Sequence, residues 1–89
     1  MMRDVAEFIG NWNGTFVELC NELTPEEFDT MVNDTAYEYV DATYMDDLLD
    51  KGDYRGILAL YIKDWLMFNI SDNYDGKTTN NLFRLWSNM

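Results

Sequence analysis

The sequence has no histidine, one cysteine, one proline and only six lysines and arginines. Without histidine, the commonest general base and a leading metal ligand are missing. The single thiol, Cys20, cannot form an internal disulfide and gives no sign of an oxidising compartment. It lies on an apolar stripe at helical spacing, where a buried structural thiol is a commoner reading than a nucleophile. No glycine-rich phosphate loop and no zinc-type cysteine spacing is present. The expectation is a protein that is not an enzyme and uses no cofactor or metal. Long apolar runs are also lacking. Ile57 to Phe68 is interrupted by Lys63 and Asp64 and is too short to span a bilayer. Met1-Met2-Arg3-Asp4 lacks the basic-then-apolar order of a secretory signal. A soluble, cytoplasmic protein is therefore expected, with the host cytoplasm as its setting if a phage encodes it.

What the chain has in excess is acid: 17 Asp and Glu, for a net charge of −11 over 89 residues. Such a surface repels nucleic acid and anionic membranes and is drawn to basic grooves. Basic grooves occur mostly on proteins whose Lys and Arg neutralise phosphates. Apolar residues make up 47 %, with three Trp, six Tyr and five Phe, so a core can form. This is not the pattern of a disordered acidic tail, and the acids should sit on a folded surface. One domain, residues 1–89, is expected, burying roughly 60–65 % of the surface of the unfolded chain.

Val5, Phe8, Ile9, Trp12, Phe16, Leu19, Cys20 and Leu23 recur at helical spacing and predict a helix over about 3–22, with a kink near Asn11 to Gly14. Thr24-Pro25-Glu26-Glu27 marks a second start, with Thr24 as cap, Pro25 in the first position and Glu27 closing a capping box. Asn33-Asp34 either ends this helix and caps another, or the helix runs through. Thr35 to Val40 alternates like a strand, whereas Tyr37, Val40, Tyr44 and Leu48 keep helical spacing. Helix is the expectation over Thr35 to Asp50, with partial strand the alternative. Gly52 reads as a stop and Asp53 as the next cap. Ile57 to Phe68 is apolar on nearly every side, as a central buried helix would be. Thr78 or Thr79 can cap a last helix in which Leu82, Leu85, Trp86 and Met89 share a face. The fold class is all-α, a compact single-domain bundle of four to five helices.

One stretch invites a metal test. Ser71 to Gly76 follows part of a calcium-binding loop, with Asn73, Asp75 and Gly76 at the third, fifth and sixth positions. The first and twelfth positions, Ser71 and Leu82, lack the strong ligands that such a loop needs, so a plain turn is the reading.

The acids themselves cluster. Asp34, Glu38, Asp41, Asp46, Asp47, Asp50 and Asp53 face one base, Lys51, within the same twenty residues. Tyrosines are interleaved with them. Tyr37 and Tyr44 share a face with Val40 and Leu48 and are assigned to the core. Tyr39 and Tyr54 are assigned to the surface, where tyrosine serves as an interface anchor. At one charge per roughly 1.7 Å of duplex, eleven net charges correspond to about five to six base pairs.

In length, charge and acids on a folded scaffold, the chain resembles the small acidic inhibitors of phages and mobile elements that imitate DNA, such as anti-restriction and anti-CRISPR proteins. That resemblance implies a non-enzymatic inhibitor of a basic nucleic-acid-binding protein: a nuclease, a CRISPR effector or a restriction enzyme. It implies no direct contact with nucleic acid or membrane. The partner-binding residues would be Asp34, Glu38, Asp41, Asp46, Asp47, Asp50 and Asp53, with Tyr39 and Tyr54. Leu23-Thr24-Pro25-Glu26-Glu27-Phe28 is also similar to the acidic start of a helix in nuclease immunity proteins, whose Tyr-Tyr-Pro run this chain lacks. A third reading is a helical interaction module whose acids only solvate it. That module would use an apolar patch around Trp86, Leu85 and Met89 or around Trp65 and Met67. Apolar helical faces leave room for a homodimer.

Overall fold

The apolar sequence between Tyr54 and Asp72 supplies much of the interior, and the rest of the chain packs on it while Arg55, Lys63, Met67, Ile70, Ser71 and Asp72 stay exposed. In the computed structural model, which describes residues 3–72 and 76–88, this segment is α5. Before it come α1 (Val5–Gly10), α2 (Phe16–Glu22), α3 (Pro25–Asp34) and α4 (Ala42–Lys51), and after it α6 (Gly76–Ser87). No strand occurs among the described residues. Ile57, Leu58, Ile62 and Leu66 of α5 are buried together with Ile9, Leu19, Phe28, Met31, Met45, Leu82 and Leu85 in one core. Helices α2, α3, α4 and α6 all pack on α5, α1 packs on α3 and α6, and α4 also packs on α3.

Among the described residues the count is six rather than four to five because the first expected helix is two. Its apolar stripe is intact, with Val5, Ile9, Phe16, Leu19 and Leu23 all buried, but its backbone breaks over residues 11–15. Glycine and asparagine are poor helix formers, and Thr15 offers a fresh start. Its hydroxyl accepts the Glu18 N–H while the Glu18 carboxylate accepts the Thr15 N–H, a full capping box. The turn is tight. A Cβ on Gly14 would stand 2.9 Å from the Trp12 ring.

The second start is as expected. Thr24 and Glu27 exchange hydrogen bonds, and Pro25 opens α3. Glu27 is buried and also takes two hydrogen bonds from Arg3, from Nε at 2.7 Å and Nη2 at 2.9 Å, which ties the N-terminus to α3. The third expected helix is the main correction: residues 35–41 are neither helix nor strand. Thr35 turns its hydroxyl back to the Met31 carbonyl (2.7 Å), ending α3. Tyr37 sits in the left-handed region at φ 61°, which ordinary residues adopt only when held there. Its hydroxyl donates to the Val32 carbonyl (2.6 Å). α4 begins only at Ala42. It ends at Gly52, whose φ of 69° is the left-handed stop that glycine accepts without penalty. Asp53 then caps α5 through the Gly56 N–H (3.0 Å).

The last helix starts at Gly76, earlier than Thr78 or Thr79 would have set it. Leu82 and Leu85 are buried as expected, Trp86 is 42 % exposed, and Met89 lies outside the described residues. A polar clamp joins α6 to the N-terminal region. Asn81 donates to the carbonyls of Ile9 (3.1 Å) and Gly10 (2.9 Å) at the end of α1. Arg84 donates to the Trp12 and Gly14 carbonyls at 2.7 Å each and to the Asn81 Oδ1. The Ile9 carbonyl also accepts the Trp12 N–H (3.2 Å), while the Gly10, Trp12 and Gly14 carbonyls lie at or beyond the end of α1, where the helical ladder supplies no donor. The planar fork of arginine reaches three acceptors at once, which an ammonium cannot do in the same geometry.

The clamp and the buried Glu27 can each be tested. Arg84→Lys, which keeps the charge, should lower unfolding free energy by about 2 kcal/mol in urea denaturation. A change within about 0.5 kcal/mol would mean that the clamp does not hold α6 in place. Glu27 gives a pH signature. The Arg3 hydrogen bond, with help from Thr24, holds its carboxyl below the usual carboxylate range. Such a group stabilises the fold above its unfolded value near pH 4.3, and the contribution is lost as pH falls through the folded value. Glu27→Gln should therefore be less stable at neutral pH by about 2 kcal/mol and decline less steeply than the parent below about pH 5. Parallel acid profiles would contradict this.

Candidate functional site

The seven acids between Asp34 and Asp53 are all exposed, but they do not all serve the same purpose. Asp41 is the cap of α4, its carboxylate accepting the Thr43 N–H at 2.9 Å. Asp53 caps α5. Asp47 pairs with Lys51 at 2.8 Å, one turn away, and this hydrogen bond raises the lysine's pKa. Asp34, Glu38, Asp46 and Asp50 have no hydrogen-bond or ion-pair partner among the described residues. Asp34 ends α3, Glu38 stands in the irregular segment, and Asp46 and Asp50 are one turn apart on α4.

Helix electrostatics makes this placement informative. The N-terminal end of a helix welcomes a carboxylate and the C-terminal end does not. Asp41 and Asp53 occupy favourable ends. Asp34 stands at the C-terminus of α3, which has no basic residue in its last turn. Asp46 and Asp50 form a like-charge pair at i, i+4 in a helix where only Lys51 opposes them. These three carboxylates cap no helix and pair with no base among the described residues. The ten residues of α4 span about 15 Å, the length of roughly four base-pair steps of one DNA strand.

The acids are not confined to α4. Glu7, Glu22, Glu26 and Asp29 are exposed on α1 to α3. By contrast α6 contains no acid and carries Lys77 and Arg84. Residues 1–53 hold 14 of the 17 acids and two of the six bases, so the charge is strongly asymmetric along the chain.

Tyr37 keeps its expected place, whereas Tyr44, Tyr54 and Tyr39 do not. Tyr44 is 55 % exposed rather than core. Tyr37 is half-buried and packs on the core. Tyr54, expected at the surface, is half-buried and stacks on Phe28 with centroids 4.5 Å apart and planes 6° apart. Tyr39 is half-buried, its ring edge-on to Phe68 at 5.3 Å and its hydroxyl within 3.0 Å of the Ser71 Oγ. Tyr39 and Tyr54 therefore bind parts of their own fold, and the aromatic among the acids is Tyr44. The missed signal is Met45, which takes the buried position on α4 with Leu48 and turns Tyr44 outward.

Cys20 is half-buried, and burial pushes its thiol pKa up, the reverse of an activated nucleophile. No group of three or more His, Cys, Asp or Glu among the described residues could hold a metal ion. The calcium-like stretch includes residues 73–75, which lie outside the described residues. No described helix is long and apolar enough to cross a membrane. Compared with models of protein families, with curated proteins and with solved structures, the chain matches none.

A split in stability follows from the two kinds of acid. Asp46→Asn with Asp50→Asn should raise unfolding free energy by a few tenths of a kcal/mol at low salt. Asp41→Ala or Asp53→Ala should lower it by about 1 kcal/mol. Equal losses from all four positions would show that the α4 acids serve the fold after all.

Proposed function

We propose that this protein is a non-enzymatic inhibitor that occupies the basic nucleic-acid groove of a target protein, such as a nuclease, a restriction enzyme or a CRISPR effector. The observation that carries this reading is a set of carboxylates that the fold does not use. Asp34, Glu38, Asp46 and Asp50 are exposed and have no partners among the described residues. A solubility role accounts less well for Asp34, Asp46 and Asp50, which stand where helix electrostatics opposes them. Asp41, Asp47 and Asp53 add to the same field, because a carboxylate that accepts one hydrogen bond keeps further acceptor sites free. Tyr44, the exposed aromatic on α4, can stack on an arginine of the groove. Binding would be competitive, with the target's phosphate-contacting Lys and Arg turned to these acids. Association would be fast and salt-dependent, since steering by exposed charge is screened over about 8–10 Å.

If the four unpartnered carboxylates stand in for four phosphates, affinity should fall roughly a hundredfold between about 50 and 200 mM salt. The test is capture of the target on immobilised protein, followed by elution with excess double-stranded DNA or with an equal charge of polyglutamate. DNA should release the target and polyglutamate should release far less. Retention in the presence of DNA would rule out groove occupancy. Asp46→Lys with Asp50→Lys should weaken capture by about a hundredfold, mostly through a slower on-rate.

A second reading draws on a specific feature. Met67, Ile70, Phe83 and Trp86 are exposed on α5 and α6, where acids are few. An interaction module working through that apolar surface would bind with little salt dependence and would not respond to charge reversal on α4.

A further inference from the structure

Four polar or charged side chains are buried among the described residues: Glu27, Thr35, Asp64 and Asn69. Three are accounted for. Glu27 meets Arg3, Thr35 bonds the Met31 carbonyl, and Asn69 donates to the Trp65 carbonyl at 2.8 Å. Asp64 is different. It is 3 % exposed, on the helix that is otherwise apolar on nearly every side, and among the described residues its one hydrogen bond is the Tyr39 N–H on Oδ1 at 3.0 Å. Its second oxygen has no hydrogen-bond partner among those residues, yet no side-chain oxygen there is both sealed from solvent and unbonded, so this oxygen is open to solvent. A cation that enters from solvent can therefore meet it without displacing an internal partner.

Asp64 borders a recess of about 230 Å³ that is also lined by Asp34, Ala36, Tyr61, Trp65 and Phe68. Tyr61 and Trp65 meet at 6.0 Å with a 60° tilt, and Phe68 is fixed by the edge-on Tyr39 ring. Aromatic faces attract cations. The C-terminus of α3 reaches the recess at Asp34, Thr35 and Ala36, bringing the negative end of a ten-residue helix with no base in its last turn. The field is felt locally. Burial, with the charges of Asp34 and Asp4, raises the Tyr61 hydroxyl to about 12. The volume falls below the roughly 300–1,000 Å³ of small-molecule sites, which suits a side-chain head and its stem.

We propose that this recess binds the guanidinium or ammonium head of an arginine or lysine side chain presented by a protein partner, with Asp64 and Asp34 as its anionic contacts and Tyr61, Trp65 and Phe68 as its walls. The chemistry of the recess stands without the inhibitor reading, on which only the source of the cation rests. In that reading, the acidic surface steers the target and the recess anchors one of its basic residues.

The test is a titration of the full, isotope-labelled chain with N-acetyl-arginine methylamide to tens of millimolar, followed at the Tyr39 amide and the Trp65 indole N–H. Its neutral isostere, N-acetyl-citrulline methylamide, runs in parallel. Saturable shifts at both signals are expected with arginine, with citrulline roughly tenfold weaker. Asp64→Asn keeps an acceptor for the Tyr39 N–H and should cost about tenfold in arginine affinity. If that variant fails to fold, the arginine–citrulline contrast in the parent and the exposed Asp34→Asn variant, expected to lose two- to threefold, decide in its place. Equal response to both ligands, or no saturable shift, overturns the proposal. No nucleic-acid-binding target enters this experiment, so the recess can fail while groove occupancy stands, and the reverse.

Discussion

The constraint on which everything else rests is the burial of one side of α5. A helix of 19 residues with Ile57, Leu58, Ile62 and Leu66 buried must be covered along that side, since apolar area contributes about 25 cal/mol per Å² removed from water. In an 89-residue chain, that leaves only five other described helices, mostly short, to provide the cover. Each gives one face to the core and keeps the other for water. Most of the excess acid lies on the outer faces of α1 to α4 and in the segments that join them, where a packed scaffold holds it in place.

Short helices need strong ends, and much of the acid is used there. Asp4, Glu18, Glu27, Asp41 and Asp53 all accept backbone N–H groups at helix starts. Each carboxylate gains from the helix dipole and satisfies a donor that helix geometry leaves open. Cations are too scarce to neutralise the remainder. Arg3 is drawn to Glu27, Lys51 to Asp47 and Arg84 to backbone carbonyls. Capping and pairing thus separate the structural acids from the surplus, and the surplus is where a functional reading has to look.

Much of the scaffold is legible in the sequence because its signals are local. Thr24-Pro25-Glu26-Glu27, Gly52 and Asp53 announce helix ends through residues three or four apart, and each does what that spacing implies. Thr15 and Glu18 carry the same kind of signal, but it is masked by an apolar stripe that stays in phase across the break. The irregular segment is not legible, for a different reason. Tyr37 is held at positive φ in a segment tied down at Thr35, at its own hydroxyl and at the Tyr39 amide, the last by a contact 25 residues distant in sequence. With the helix starting at Ala42 instead of Thr35, the register of Tyr37, Val40 and Tyr44 no longer applies. The tyrosine assignments change with it.

Asp64 shows how the same cause acts on function. In sequence it shows only as an interruption of an apolar run. In the fold, a backbone amide from the irregular segment meets one of its oxygens, and aromatic rings close around it. A carboxylate that deep could have been replaced by a leucine that packs better on α5, because buried charge is a weak source of stability. The fold instead places it on the same recess as Asp34 and the C-terminal end of α3. The exposed acids attract positive charge from a distance through solvent, where screening weakens them. In the proposed recess Asp64 would act at contact, where partial burial lets the same charge count for more. The two sets of acids therefore suit two successive stages of one encounter with a cationic partner, approach and then fixation.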